Sequence, residues 1–255
     1  MPHERPHTDR EMIEKRSHAE DAAYQAIYRD GIDAYTKTLP RLRQAFELEK
    51  KCVSCMDEGT PGGTHAAGSG MLMNDVELEQ YFAATKPDEV TSHEGCGAAK
   101  LYAEAHGLDI ERSDHYAQEW AKHEADKRGL RYRHIAAADM ERPSEGHFAR
   151  TCYYDTTGTF NWDAAEGLAA GFVVSRKYMT PEYALREASV ALDIAFGDHG
   201  LGTKLLSEEK PFLLVAIAED AKQLAEAKKE LGRLAHGRGK QVRIDGFLKP
   251  RSEKN

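Results

Sequence analysis

The chain has 255 residues, 40% apolar and 31% charged, which is enough to bury a full hydrophobic core and places it among soluble globular proteins rather than disordered ones. Its formal net charge of −8 argues against a mainly nucleic-acid-binding role, which needs a basic footprint. The N-terminus MPHERPHTDR lacks the apolar stretch of a secretory signal, and the longest clear apolar run, Phe212 to Ala218, is too short to cross a membrane, so a cytoplasmic location is expected. Four cysteines in a chain this long suggest reduced thiols, some binding metal, rather than a disulfide framework.

Residues 8–38 read as a helical arm, with Ala22, Ala23, Ala26 and Ile27 as a short apolar stripe opposite a charged face. Such an arm packs on a partner or lies on the surface. The segment KKCVSCMD predicts a short strand that runs into the turn signal EGTPGGT. Val76, Leu78, Tyr81 and Phe82 suit a helix, DEVTSH a second strand, and Gly97 to His106 a helix stopped by Gly107. A polar helix follows over 113–128, then the strand RYRHIAAA. HFARTCYYDTTGTFNW predicts a strand and a turn at Thr157-Gly158, with a hairpin as one possibility, and GFVVS reads as a buried strand. Thr180 as N-cap and Pro181 at the first helical position start a helix that ends at Gly197. FLLVAIA is the strongest strand, Asp220 caps a helix to about His236, and QVRIDGFL is a final edge strand.

Strands alternating with helices predict an α/β fold, with a mostly parallel central sheet flanked by helices. The expected organisation is an arm over 1–40 and one α/β zinc-binding domain over 41–255, without internal repeat.

The strongest chemical signal is Cys55-Met56-Asp57 followed by His93-Glu94-Gly95-Cys96. Thiolate and imidazole are the ligands zinc prefers, and three protein ligands leave a fourth position open. Both groups fall where a predicted strand gives way to a turn or helix, the end at which open α/β sheets bind ligands. A closed alternative takes Cys52 and Cys55 as a CxxC pair with His93 and Cys96, although residues three apart on an extended strand face opposite ways. Asp198-His199 in a glycine-rich loop, and His147 and Cys152 beside a predicted strand, are weaker candidates. Gly68-Ser69-Gly70 is backbone punctuation first and an anion nest second.

CMDEG at 55–59, HAAGSG at 65–70 and SHEGCGAAKLYA at 92–103 resemble, in order and rough spacing, the Cys-x-Asp-x-Arg, Arg-Asn-Ala-Gly-Asn and His-x-x-Cys segments of the β-class carbonic anhydrases. The resemblance covers residues 50–106. It implies a zinc ion on Cys55, His93 and Cys96, with Asp57 as the catalytic carboxylate beside it. The implied activity is hydroxide attack on carbon dioxide or a similar small electrophilic carbon, in a homodimer or higher homo-oligomer. The partners expected are a small-molecule substrate or anion, with no membrane and no nucleic acid. Two positions depart from the pattern: Gly59 stands where the arginine that orients the aspartate is expected, and His65 where the intervening segment has arginine. Asp57 therefore needs another cation, from His65 or from the distant C-terminal half, or else swings onto the zinc and leaves hydration weak near neutral pH. Two non-catalytic alternatives are a zinc-containing binding or regulatory protein on the same scaffold, and a structural zinc protein.

Overall fold

A computed structural model describes residues 22–47, 51–60, 62–140, 142, 147–197 and 206–251. The arm enters as helix α1 (22–30) and the short helix α2 (Ile32–Thr36), separated by Gly31, whose φ of +83° suits glycine. The first half of the chain then forms β1 (Cys52–Cys55), β2 (Thr64–Ala66), helix α3 (Asp75–Thr85) and β3 (Glu89–His93). It closes with α4 (Gly97–Ala105), α5 (Ser113–Arg128) and β4 (Arg131–Ile135). The second half forms β5 (Thr151–Asp155), β6 (Phe172–Val174), α6 (Pro181–Phe196), β7 (Phe212–Ala218), α7 (Ala221–Ala235) and β8 (Val242–Leu248).

The helix starts follow local chemistry. Asn74 and Glu77 form a reciprocal capping box on α3. Thr180 accepts the Tyr183 amide ahead of Pro181 on α6, and Asp220 accepts the Gln223 amide on α7. Every strand pair is parallel, as the alternation of strands and helices predicts. Phe212–Ala218 is buried at all seven positions, which a parallel strand covered on both faces requires.

Three sequence expectations change. The single central sheet is two four-stranded sheets, ordered β2-β1-β3-β4 and β6-β5-β7-β8. The second order repeats the first, so the architecture is duplicated although the sequence shows no repeat. The hairpin at Thr157-Gly158 does not form: β5 pairs parallel with β6 and β7, and Asp155 closes the turn by accepting the Thr157 amide (2.8 Å) and hydroxyl (2.7 Å). β2 lies inside a stretch that reads as glycine-rich turn. Its three residues are too few for a periodic signal.

The halves are stitched together beside the end of β1. Val173 N donates to Met56 O (3.0 Å), Ser175 N to His65 O (3.1 Å), and His65 N to Ser175 Oγ (2.8 Å). One apolar core runs through both, joining Val53, Leu78 and Val90 to Phe172, Leu192 and Leu214. A second core covers the other face of the β5–β8 sheet. There Tyr24, Ile27 and Ile32 of the arm pack with Leu213, Val215 and Phe247. The described part of the arm thus packs on its own chain. Among the described residues no helix is long and apolar enough to cross a membrane.

Ile27 is fully buried in this second core. Ile27→Ala should destabilise the protein by about 2–5 kcal/mol, read from the midpoint of urea unfolding. A shift within error would mean that the arm does not hold this sheet.

Candidate metal centre

Cys55 ends β1, His93 ends β3 and Cys96 caps α4, so three separate elements deliver them to one end of the first sheet. Their ligand atoms lie within 4.8 Å of one another, and all three residues are buried. The Cys55 and Cys96 sulfurs are 3.9 Å apart. Two thiolates at about 2.3 Å from one tetrahedral ion would be separated by roughly 3.8 Å. His93 Nδ1 donates to the Glu94 carbonyl (3.0 Å), which fixes the tautomer and leaves the Nε2 lone pair for a metal. That Nε2 is buried without a partner. Burial pushes the Cys55 thiol well above its usual value and Cys96 adds to it, so thiolate here needs a cation alongside. The Gly68 amide donates to Cys55 Sγ (3.2 Å), supplying a hydrogen bond that a metal-bound thiolate can accept. The donor set and its orphaned nitrogen fit zinc.

Gly68 and Ser69 take left-handed φ values of +54° and +61° to aim that amide. Ser69 is held there by its hydroxyl, which donates to Thr91 O (2.6 Å). Glu187 of α6 anchors the same turn from below. Its buried carboxylate accepts the Ala67 amide and the Tyr183 hydroxyl. Burial raises its pKa to about 7 against the pull of those two donors.

Asp57 follows β1 and is buried. Its Oδ1 accepts from the Gly59 amide (2.8 Å) and from Arg142 Nε (2.8 Å). A guanidinium from position 142 thus engages Asp57, while position 59 carries glycine. Glycine at 59 makes the room: a Cβ there would sit 2.6 Å from Arg142 Cγ. Asp57 Oδ2 has no partner and lies 3.9 Å from His93 Nε2 and 3.8 Å from His147 Nδ1. Burial would raise the Asp57 pKa, but the charges of His147 and Arg142, with that of His93 as long as no cation displaces its proton, hold it well below the usual carboxylate range.

His147 donates from Nδ1 to Glu58 Oε2 (2.7 Å), and the Phe148 amide donates to Glu58 Oε1 (3.0 Å). Burial would lower the His147 pKa, but Glu58 and Asp57 raise it above the ordinary histidine value. Asp57, Glu58 and His147 also bring ligand atoms within 4.8 Å of one another. The pairing of Asp57 with Arg142 and of Glu58 with His147 already balances the two carboxylates.

Two sequence candidates are placed elsewhere. Cys52 is not in the cluster: its Sγ lies 2.9 Å from the Gly62 carbonyl and donates to it, because three residues along the strand turn it away from Cys55. The closed four-ligand site is therefore not formed. His65 does not hold Asp57. Its Nδ1 donates to Cys55 O (2.8 Å), and burial pushes its pKa down to about 4, so it is neutral. Cys152 is a buried core residue and Asp198-His199 lies outside the described residues. Sequence reasoning missed Arg142, which stands in a loop with no periodic or motif signal. The bare glycine at 59 was the one hint that something else fills that space.

A small cavity opens beside the cluster, lined by Cys55, Asp57 and His147 and by Phe172, Val190 and Ile194. Its volume is ≈ 10 Å³, about what one water requires. The last three residues come from the second half. That half keeps the strand order but not the ligands. Its strands β5 and β7 carry no histidine, and their one cysteine, Cys152, is buried in the core.

No protein-family model matches the chain, and searches of the curated proteins and of the solved structures find no significant match.

Metal analysis of purified protein should find about one zinc per chain. Single changes of Cys55, His93 or Cys96 to Ala should each remove most of it, while Cys52→Ser leaves it in place. Full retention by the Cys96 variant would rule the site out. A second expectation concerns Glu187. Because its folded pKa is raised from 4.5 to about 7, its stabilising contribution is complete below 4.5 and lost as pH rises through about 7. Glu187→Gln should flatten the fall in thermal stability across that window, and an unchanged profile would show that Glu187 does not titrate there.

Proposed function

We propose that this chain is a zinc-dependent hydratase resembling the β-class carbonic anhydrases, acting on carbon dioxide or an equally small electrophilic carbon. The observation that carries the reading is the Asp57–Arg142 pair beside the Cys55, His93, Cys96 cluster. It supplies, from Arg142, the orienting guanidinium that the sequence, with Gly59, lacks at the expected place.

Zinc, when bound, supplies Lewis acidity that brings the pKa of a coordinated water to about 7. This chain's residues do the rest. Arg142 and the Gly59 amide occupy Asp57 Oδ1, which fixes the carboxylate plane and holds it ionised. The free Oδ2 is then available as a proton acceptor on the cavity side. Leaving a buried carboxylate without its arginine costs roughly 3–5 kcal/mol, enough to release it toward a neighbouring cation. With Arg142 in place that release is opposed, so the weak neutral-pH activity expected from Gly59 alone no longer follows. Phe172, Val190 and Ile194 give the cavity an apolar wall suited to an uncharged substrate. A homodimer, which the family resemblance implies, belongs to this proposal as an assembly. The wall itself is complete within one chain.

Stopped-flow measurements should show carbon dioxide hydration by the zinc-loaded protein at neutral pH. Asp57→Asn and Arg142→Ala should each lower kcat by about 10²-fold or more with zinc content unchanged. Hydration that survives Asp57→Asn at the wild-type rate would sink this account, and no hydration by wild type would point to a non-catalytic zinc protein.

A further inference from the structure

The apolar wall is built from one helix face. Val190 and Ile194 lie one turn apart on α6, both half-buried, and Phe172 of β6 stands beside them. Ile194 reaches the metal cluster's own helix. A Cβ on Gly97, the residue after the ligand Cys96, would meet Ile194 Cδ1 at 3.2 Å. The second half thus presses on the α4 N-terminus and leaves only ≈ 10 Å³ between Asp57, Cys55 and itself. Gly97 and Ile194 are matched: the one lacks a side chain where the other needs space.

We infer that Ile194 and Val190 are the specificity-determining residues of the site, keeping ligands beside the metal cluster to a few atoms and excluding rings and esters. This rests on the reading of Cys55, His93 and Cys96 as an open metal site. It assigns to the second half, which carries none of the three ligands, the task of setting ligand size. Both side chains act by volume, since neither carries a polar group.

The test uses cobalt(II)-loaded full-length protein, whose visible bands report a change at the metal. The two probes are azide, a linear triatomic, and imidazole, a five-membered ring. Azide should perturb the wild-type spectrum and imidazole should not. Ile194→Ala should tighten imidazole binding by at least about tenfold, equivalent to about 1.4 kcal/mol, and leave azide affinity unchanged. Val190→Ala should do the same to a smaller degree, and it serves if the Ile194 variant does not fold. Imidazole binding to wild type as tightly as to both variants overturns the inference while leaving the open site intact. A wild-type spectrum indifferent to azide overturns both, because the fourth position is then closed. Failure of carbon dioxide hydration with the azide and imidazole results as expected removes the proposed reaction and leaves the size limit standing.

Discussion

Everything at the site depends on one buried ion pair, Arg142 against Asp57. Removing two charges from water is costly, and the pair is tolerable only because both partners are nearly fully buried together and Asp57 gains the Gly59 amide as well. The pair fixes which oxygen of Asp57 is engaged and which is free. It also ties Arg142, beyond β4 in the chain, to the end of β1. His147, a few residues on, makes a second tie through Glu58. The ends of the first sheet are therefore clamped by charge, whereas its middle is held by apolar packing.

The duplicated strand order explains how a chain of this length builds an enclosed site. Each four-stranded sheet leaves an edge, at β2 and at β6, and these edges meet through the hydrogen bonds of Val173 and Ser175. Strands β5 and β7 of the second half carry no histidine, and their one cysteine, Cys152, is buried in the core. Tyr154 donates to Glu230 (2.6 Å), which also receives Arg176. Freed from ligand duty, this half can be apolar where it faces the first, and it supplies wall rather than chemistry.

Much of the fold was legible because its signals were local. Thr180-Pro181, Asp220 and Gly197 mark helix ends through capping chemistry that needs no knowledge of the rest, and the observed bounds of α6 agree. The three candidate ligands were legible because Cys55 and His93 close strands and Cys96 opens a helix, transitions that the sequence marks locally. What the sequence hid was non-local. Arg142 meets Asp57 across 85 positions of chain, and no periodicity connects them. The division into two sheets was hidden because parallel pairing leaves the same alternation of strand and helix whether the sheet is single or split. β2 was hidden by its length, and by glycines that read as turn.

The Gly59–Arg142 contact makes the two positions mutually exclusive choices. A side chain at 59 would occupy the space that Arg142's methylenes now fill. Substitutions at 59 and 142 are therefore strongly epistatic. A pattern that demands arginine at the first position will pass over chains that have adopted the second arrangement.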